Sequence, residues 1–144
     1  MSVWTHVAAV FRLDFQTFSK PEETEEAIRE FLGHVLTGSE EDEKLWETCK
    51  FPQGSEGSLQ YELVTDPDED SAPRHVLTVY GDLRDYDLTK AANHAKLKAM
   101  TDFFDMLSER AEKIPFKGRS GALTCRQAVM FITSGGYSRV LQFR

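Results

Sequence analysis

The stretch TVYGDLRDYD, Thr78 to Asp87, decides how the chain is read. A strand-like apolar run meets Gly81, and then Asp82, Arg84, Asp85 and Asp87 surround Leu83 and Tyr86. One reading is a charged site at the end of a strand. The other is a corner in which the strand stops at Gly81 and Asp87 caps a helix. A carboxylate at an N-cap accepts backbone N–H groups and meets the positive end of the helix dipole. The residues that follow favour the corner. Leu88, Ala92, Ala95, Ala99, Phe103 and Met106 recur at helical spacing, with Met100, Phe104 and Leu107 beside them. That stripe predicts a helix over 88–112, ended before Pro115.

Working upstream, His75–Tyr80 reads as a strand. Before it, Leu59, Tyr61 and Leu63 alternate with Ser58, Gln60 and Glu62, and the acidic TDPDEDSAPR joins the two strands as a hairpin. At the start of the chain Val3, Thr5, Val7, Ala9, Phe11 and Leu13 share one face of a first strand. Ser19-Lys20-Pro21-Glu22 then has the form of a helix start, and Gly38 that of a stop, giving a helix over 21–37. Ser39–Lys50 has the acids and cap of a short second helix. Downstream, Ala122–Thr133 and Tyr137–Phe143 read as strands around a Ser134-Gly135-Gly136 turn.

The order β-α-(α)-β-β-α-β-β is that of an α+β protein. Right-handed crossovers favour a ferredoxin-like β-α-β-β-α-β sandwich with both long helices on one face, a short extra helix and an added C-terminal hairpin strand. At 144 residues with no dividing linker, the expectation is a single α+β domain over 1–144.

Charge narrows the function. The net charge is −7. Residues 20–70 hold 16 acids against 4 bases, whereas residues 111–144 are net +5. This argues against direct nucleic-acid binding and for an acidic face that meets a basic partner, or for self-association. No apolar run reaches membrane-spanning length, and the N-terminus lacks the basic region of a secretory signal, so no membrane partner is expected. Cys49 and Cys125 lie far apart and form no CxxC, which fits a reducing cytoplasm.

No catalytic constellation emerges. His6, His34, His75 and His94 are scattered, neither cysteine sits in a nucleophile motif, and SGGYS is a turn rather than a GxSxG elbow. No cofactor motif is present, and Asp82 and Asp85 lack the further ligands a metal needs. The chain therefore reads as a binding protein rather than an enzyme. Two surfaces are candidates. Gly54, Ser55, Glu56, Gly57 and Ser58 have the glycine–serine content of a backbone nest for an anion. With Arg84, and with Asp82 and Asp85 beside it, they form a tentative ligand site for a small molecule such as a nucleotide signal. Glu56 is also a candidate partner for Arg84. Glu22, Glu23, Glu25 and Glu26 of the first helix, with Asp66, Asp68, Glu69 and Asp70 of the loop, form a tentative partner-binding surface. The final strand, at a sheet edge, makes a homodimer in which the last hairpin takes part a further expectation.

VWTHVAAVFRLD, GSEGSLQYEL and VYGDLRDYD together resemble small accessory proteins of tailed bacteriophages and prophages. The resemblance covers the first strand and the central hairpin and carries no catalytic residue. It implies an acidic protein in the cytoplasm of an infected bacterium, one that binds and blocks a host protein with a basic surface, defence factors included.

Overall fold

The computed structural model describes residues 3–15, 20–37, 54–57, 59–65, 74–88, 94–109, 111–113 and 123–144. The expected short helix over 39–50, the hairpin loop with Asp66, Asp68, Glu69 and Asp70, and Ser19, Gly38 and Ser58 lie outside the described residues.

Among the described residues, five strands and two helices make a mixed α+β fold. The elements are β1 (Trp4–Phe15), α1 (Pro21–Thr37), β2 (Gln60–Thr65), β3 (Arg74–Arg84), α2 (His94–Glu109), a 3₁₀ turn at Ala111–Lys113, β4 (Leu123–Ser134) and β5 (Tyr137–Phe143). The sheet runs β2-β3-β1-β4-β5, and every neighbouring pair is antiparallel.

The period-two pattern of β1 decides which face is covered. Thr5, Val7, Ala9, Phe11 and Leu13 are buried, while Trp4, His6, Ala8, Val10 and Arg12 are exposed. Opposite them on β3, Leu83, Val79, Leu77 and His75 are buried on the same face. Both helices lie on that face. Phe103 and Phe104 of α2 pack on Phe11, with ring centroids 6.3 and 5.6 Å away. Thr24 of α1 meets His75 of β3 at 2.8 Å. Ile28 and Leu32 from α1 and Met100, Phe103, Phe104, Met106 and Leu107 from α2 supply the apolar stripes. At about 25 cal/mol per Å² of apolar surface, this single core is the main stabilising term.

Three sequence expectations need correction. Gly81 does not end the strand: β3 continues to Arg84, with Gly81 opposite Val7 and Leu83 opposite Thr5. The ladder continues because β1 begins as early as Trp4 and offers partners that far. The helix does not begin at Leu88, which stands in a turn; its described part begins at His94, and the backbone groups an Asp87 cap would meet lie outside the described residues. The helix also stops at Glu109, before the short 3₁₀ turn at Ala111–Lys113, rather than running to 112. The first helix keeps its expected bounds. The last hairpin turns on Gly135-Gly136, with Gly135 at φ 60°, the left-handed value that glycine adopts without strain. No helix among the described residues is long and apolar enough to cross a membrane.

Candidate functional site

The end of β3 and the segment 54–57 form one corner. The Ser55 N–H donates to the Arg84 carbonyl at 2.9 Å, and the Arg84 N–H donates to the Glu56 carbonyl at 3.0 Å. The Arg84 guanidinium meets the Glu56 carboxylate at 2.8 Å. The Ser55 hydroxyl donates to Asp85 Oδ2 at 2.6 Å, and the Asp85 N–H donates to the Val3 carbonyl at 2.8 Å. The chain turns at Asp85, whose φ of 58° is left-handed, a conformation aspartate tolerates better than most residues. Gly57, at φ 78°, packs so close that a Cβ there would stand 2.1 Å from the Asp82 carbonyl oxygen. The Trp4 ring stands 3.6 Å from that same Cβ position.

The structure thus brings together Gly54, Ser55, Glu56, Gly57, Arg84 and Asp85, as a ligand site would require. It also directs their polar groups at one another. The Ser55 N–H and the guanidinium, the two donors expected to grip an anion, point at Arg84 O and Glu56. The Asp82 side chain shares the outward face of β3 with Arg84 but pairs with His6 Nδ1 of β1 at 2.6 Å. Among the described residues, no group of three or more His, Cys, Asp or Glu is placed to hold a metal ion.

After Asp85 the chain dives inward. Tyr86 is buried, and burial pushes its phenol up to about 12. Its hydroxyl donates to the Lys96 carbonyl of α2 at 2.6 Å, and its own carbonyl accepts from the Thr5 hydroxyl. Thr5 also meets Ser134 Oγ at 2.8 Å, and that oxygen accepts from the Leu88 N–H at 3.2 Å. The stretch that opened the sequence reading is therefore a strand end, a left-handed turn and a buried plug.

The acidic candidates on α1 lie together. Glu22, Glu23, Glu26, Arg29 and Glu30 are exposed, and with the half-buried Glu25 they form the helix's outer face. Glu22, Glu25, Glu26, Arg29 and Glu30 line a shallow, open depression. Arg29 is held within the helix by Glu25, through two bonds of 3.1 and 3.0 Å. The Arg29 hydrogen bond holds the Glu25 carboxyl below the usual glutamate value, against partial desolvation.

Two features were not found by motif reading. The first is the His75 link: Nε2 meets the Thr24 hydroxyl at 2.8 Å, Nδ1 meets Thr65 Oγ1 at 2.9 Å, and Thr65 donates on to Glu25 at 3.1 Å. Burial pushes the imidazole below its ordinary value, opposed by the charges of Glu25 and Asp14. The available signal was parity, since His75 shares a strand face with Leu77 and Val79. The second is the uncovered face of the sheet. The Cys125 thiol is buried and pushed up to about 11, mainly by that burial, which keeps it from acting as a thiolate nucleophile.

Among the described residues, the geometry is that of an α+β protein with an antiparallel sheet, helices on one of its faces, exposed apolar side chains on the other and an acidic helix. Compared with known proteins, the chain matches no family model, no curated protein and no solved structure.

Proposed function

We propose that this chain is a non-enzymatic acidic binding protein, phage-borne, that docks on a basic surface of a host protein and blocks it. The observation that carries the reading is the outer face of α1. There Glu22, Glu23, Glu26 and Glu30 stand exposed, and Arg29 is bonded to Glu25. Such a field steers a basic partner mainly through association rate and weakens with salt. The phage context comes from the sequence resemblance. The finer fold reading, a ferredoxin-like core with an added strand, is supported by β1 lying between β3 and β4 and by β5 beyond β4. The small-ligand reading has less behind it, because the Ser55 N–H, the Ser55 hydroxyl and the Arg84 guanidinium are engaged within the corner.

The test is capture from bacterial lysate on the immobilised chain at low and high salt, beside a Glu22→Lys/Glu26→Lys variant. The expected result is a basic protein retained at low salt, reduced at high salt and lost by the variant. If nothing is enriched at either salt, the proposal is wrong.

A further inference from the structure

The basic excess of residues 111–144 has no part in the acidic face of α1, and the fold gathers some of it beside β1. Arg12 of β1, Arg126 of β4 and Arg144 after β5 all stand exposed. A bulge arranges them. Arg12 pairs with Gln127 and Leu13 with Cys125, so Arg126 is an extra residue on β4. Arg126 and Gln127 are therefore exposed in succession.

The two guanidiniums nearest the bulge share one anchor. Asp14 is buried, at 8% exposure. Arg126 Nε donates to Asp14 Oδ2 at 3.1 Å, and Arg12 Nε stands 3.6 Å from Oδ1. A buried carboxylate needs such compensation, and here it fixes the Nε edge of each guanidinium. The Nη nitrogens of Arg12 and Arg126 make no hydrogen bond among the described residues. Arg29 and Arg84 differ, because each turns an Nη nitrogen to a glutamate.

A groove of about 330 Å³ opens beside this anchor. Arg12 and Arg144 line it on either side of Gln127, two strand spacings or roughly 10 Å apart. Gln142 brings a second amide, and Val10, Val76 and Val129 give the groove an apolar wall. No acidic side chain lines it.

The geometry points to a binding site for a small amphipathic anion, with a carboxylate or phosphate head between Arg12 and Arg144 and a short apolar body along the valines. Charge selects the head: guanidinium nitrogens match the paired oxygens of either group, and the glutamine amides add donors. Shape selects the size, since ligand sites for small molecules start at roughly 300 Å³. The groove lies on the sheet face away from α1 and apart from the Arg84 corner, so the site is independent of the binding reading above.

Amide chemical-shift titration of the full chain with octanoate and with octyl phosphate tests this. Octanol and acetate serve as probes that carry only the body or only the head. At least one of the two amphipathic anions should give saturable shifts at Val10, Gln127 and Val129 at millimolar concentration, and the tighter of them tells carboxylate from phosphate. Octanol and acetate should bind about tenfold more weakly or worse. Arg12→Gln, at an exposed position, should weaken the anion by about tenfold or more. Arg144→Gln supplies the same readout should Arg12→Gln fail to fold. Arg139→Gln, exposed on β5 but outside the groove, should leave binding unchanged. The absence of saturable shifts with both anions overturns the inference. So does octanol or acetate binding as tightly as the better anion, and so does full binding by a folded Arg12→Gln/Arg144→Gln double variant.

Discussion

Arg84 and Glu56 are joined twice: the Arg84 N–H donates to the Glu56 carbonyl at 3.0 Å, and the two side chains meet at 2.8 Å. Only the second link is open to side-chain substitution. The guanidinium is 36% exposed and the carboxylate 64%, so water competes for both. Arg84→Ala and Glu56→Ala should each cost under about 1 kcal/mol, and the coupling from a double-mutant cycle should stay below about 1 kcal/mol and shrink with added salt. Denaturant titration of the two single variants and the double variant measures this. A coupling of several kcal/mol would mean that the pair is effectively buried.

The backbone half of the same corner is far less tolerant. Gly57 is left-handed, and a Cβ there would meet the Asp82 carbonyl oxygen at 2.1 Å. Gly57→Ala should cost more than about 2 kcal/mol, since left-handed strain alone takes about 1–2. Gly136→Ala meets nothing within 4 Å and should stay within about 0.5 kcal/mol of the parent. Urea midpoints of the two variants, compared at equal m-value, separate the cases.

The contrast between those glycines shows what the sequence could reveal. Alternation in β1 and the apolar stripe of α1 are local patterns, and both elements were legible almost to the residue. Tyr137–Phe143 and its glycine turn were legible for the same reason. Gly81 misled because it occupies an inward position of β3 without a side chain to show the alternation. His75, Leu77, Val79 and Leu83 continue the inward face on either side of it. The Glu56–Arg84 pair was foreseeable because both residues flank predicted strand ends. The Thr5, Ser134 and Tyr86 junction was not, because it joins residues 129 and 81 positions apart through single hydroxyls. The open apolar face was hidden by its own regularity. Val10, Val76 and Phe131 each read as ordinary strand residues until register places them side by side.

That junction carries its own expectation. Thr5 is fully buried, and its hydroxyl serves both the Tyr86 carbonyl and Ser134. Thr5→Val keeps the shape and removes the hydroxyl, leaving buried polar groups short of a partner. The expected cost is about 1–3 kcal/mol. Thr5→Ser keeps the hydroxyl and should recover part of it. A larger loss for Thr5→Ser than for Thr5→Val, measured by thermal and urea unfolding, would show that packing of the methyl group, which valine keeps, sets the stability.

His75 makes stability depend on pH. Its Nε2 and Nδ1 meet the hydroxyls of Thr24 and Thr65, which are themselves placed to donate to the Pro21 carbonyl and to Glu25. A neutral ring donates at one nitrogen and accepts at the other, so one of those hydroxyls turns toward the ring. Burial depresses the imidazole below its ordinary 6.5, with Glu25 and Asp14 pulling the other way. The unfolded chain therefore takes up the proton first as pH falls. Stability from this site is complete above about 6.5 and declines from there down to the depressed folded value. Glu25, lowered from 4.5 chiefly by its hydrogen bond to Arg29, also loses its contribution as pH falls, but in a window below 4.5. Between about pH 7 and about pH 5, wild-type unfolding free energy should drop, and His75→Gln should flatten that drop whatever its own starting stability. An unchanged slope in His75→Gln, read from urea titrations at the two pH values, would assign the proton uptake to another group.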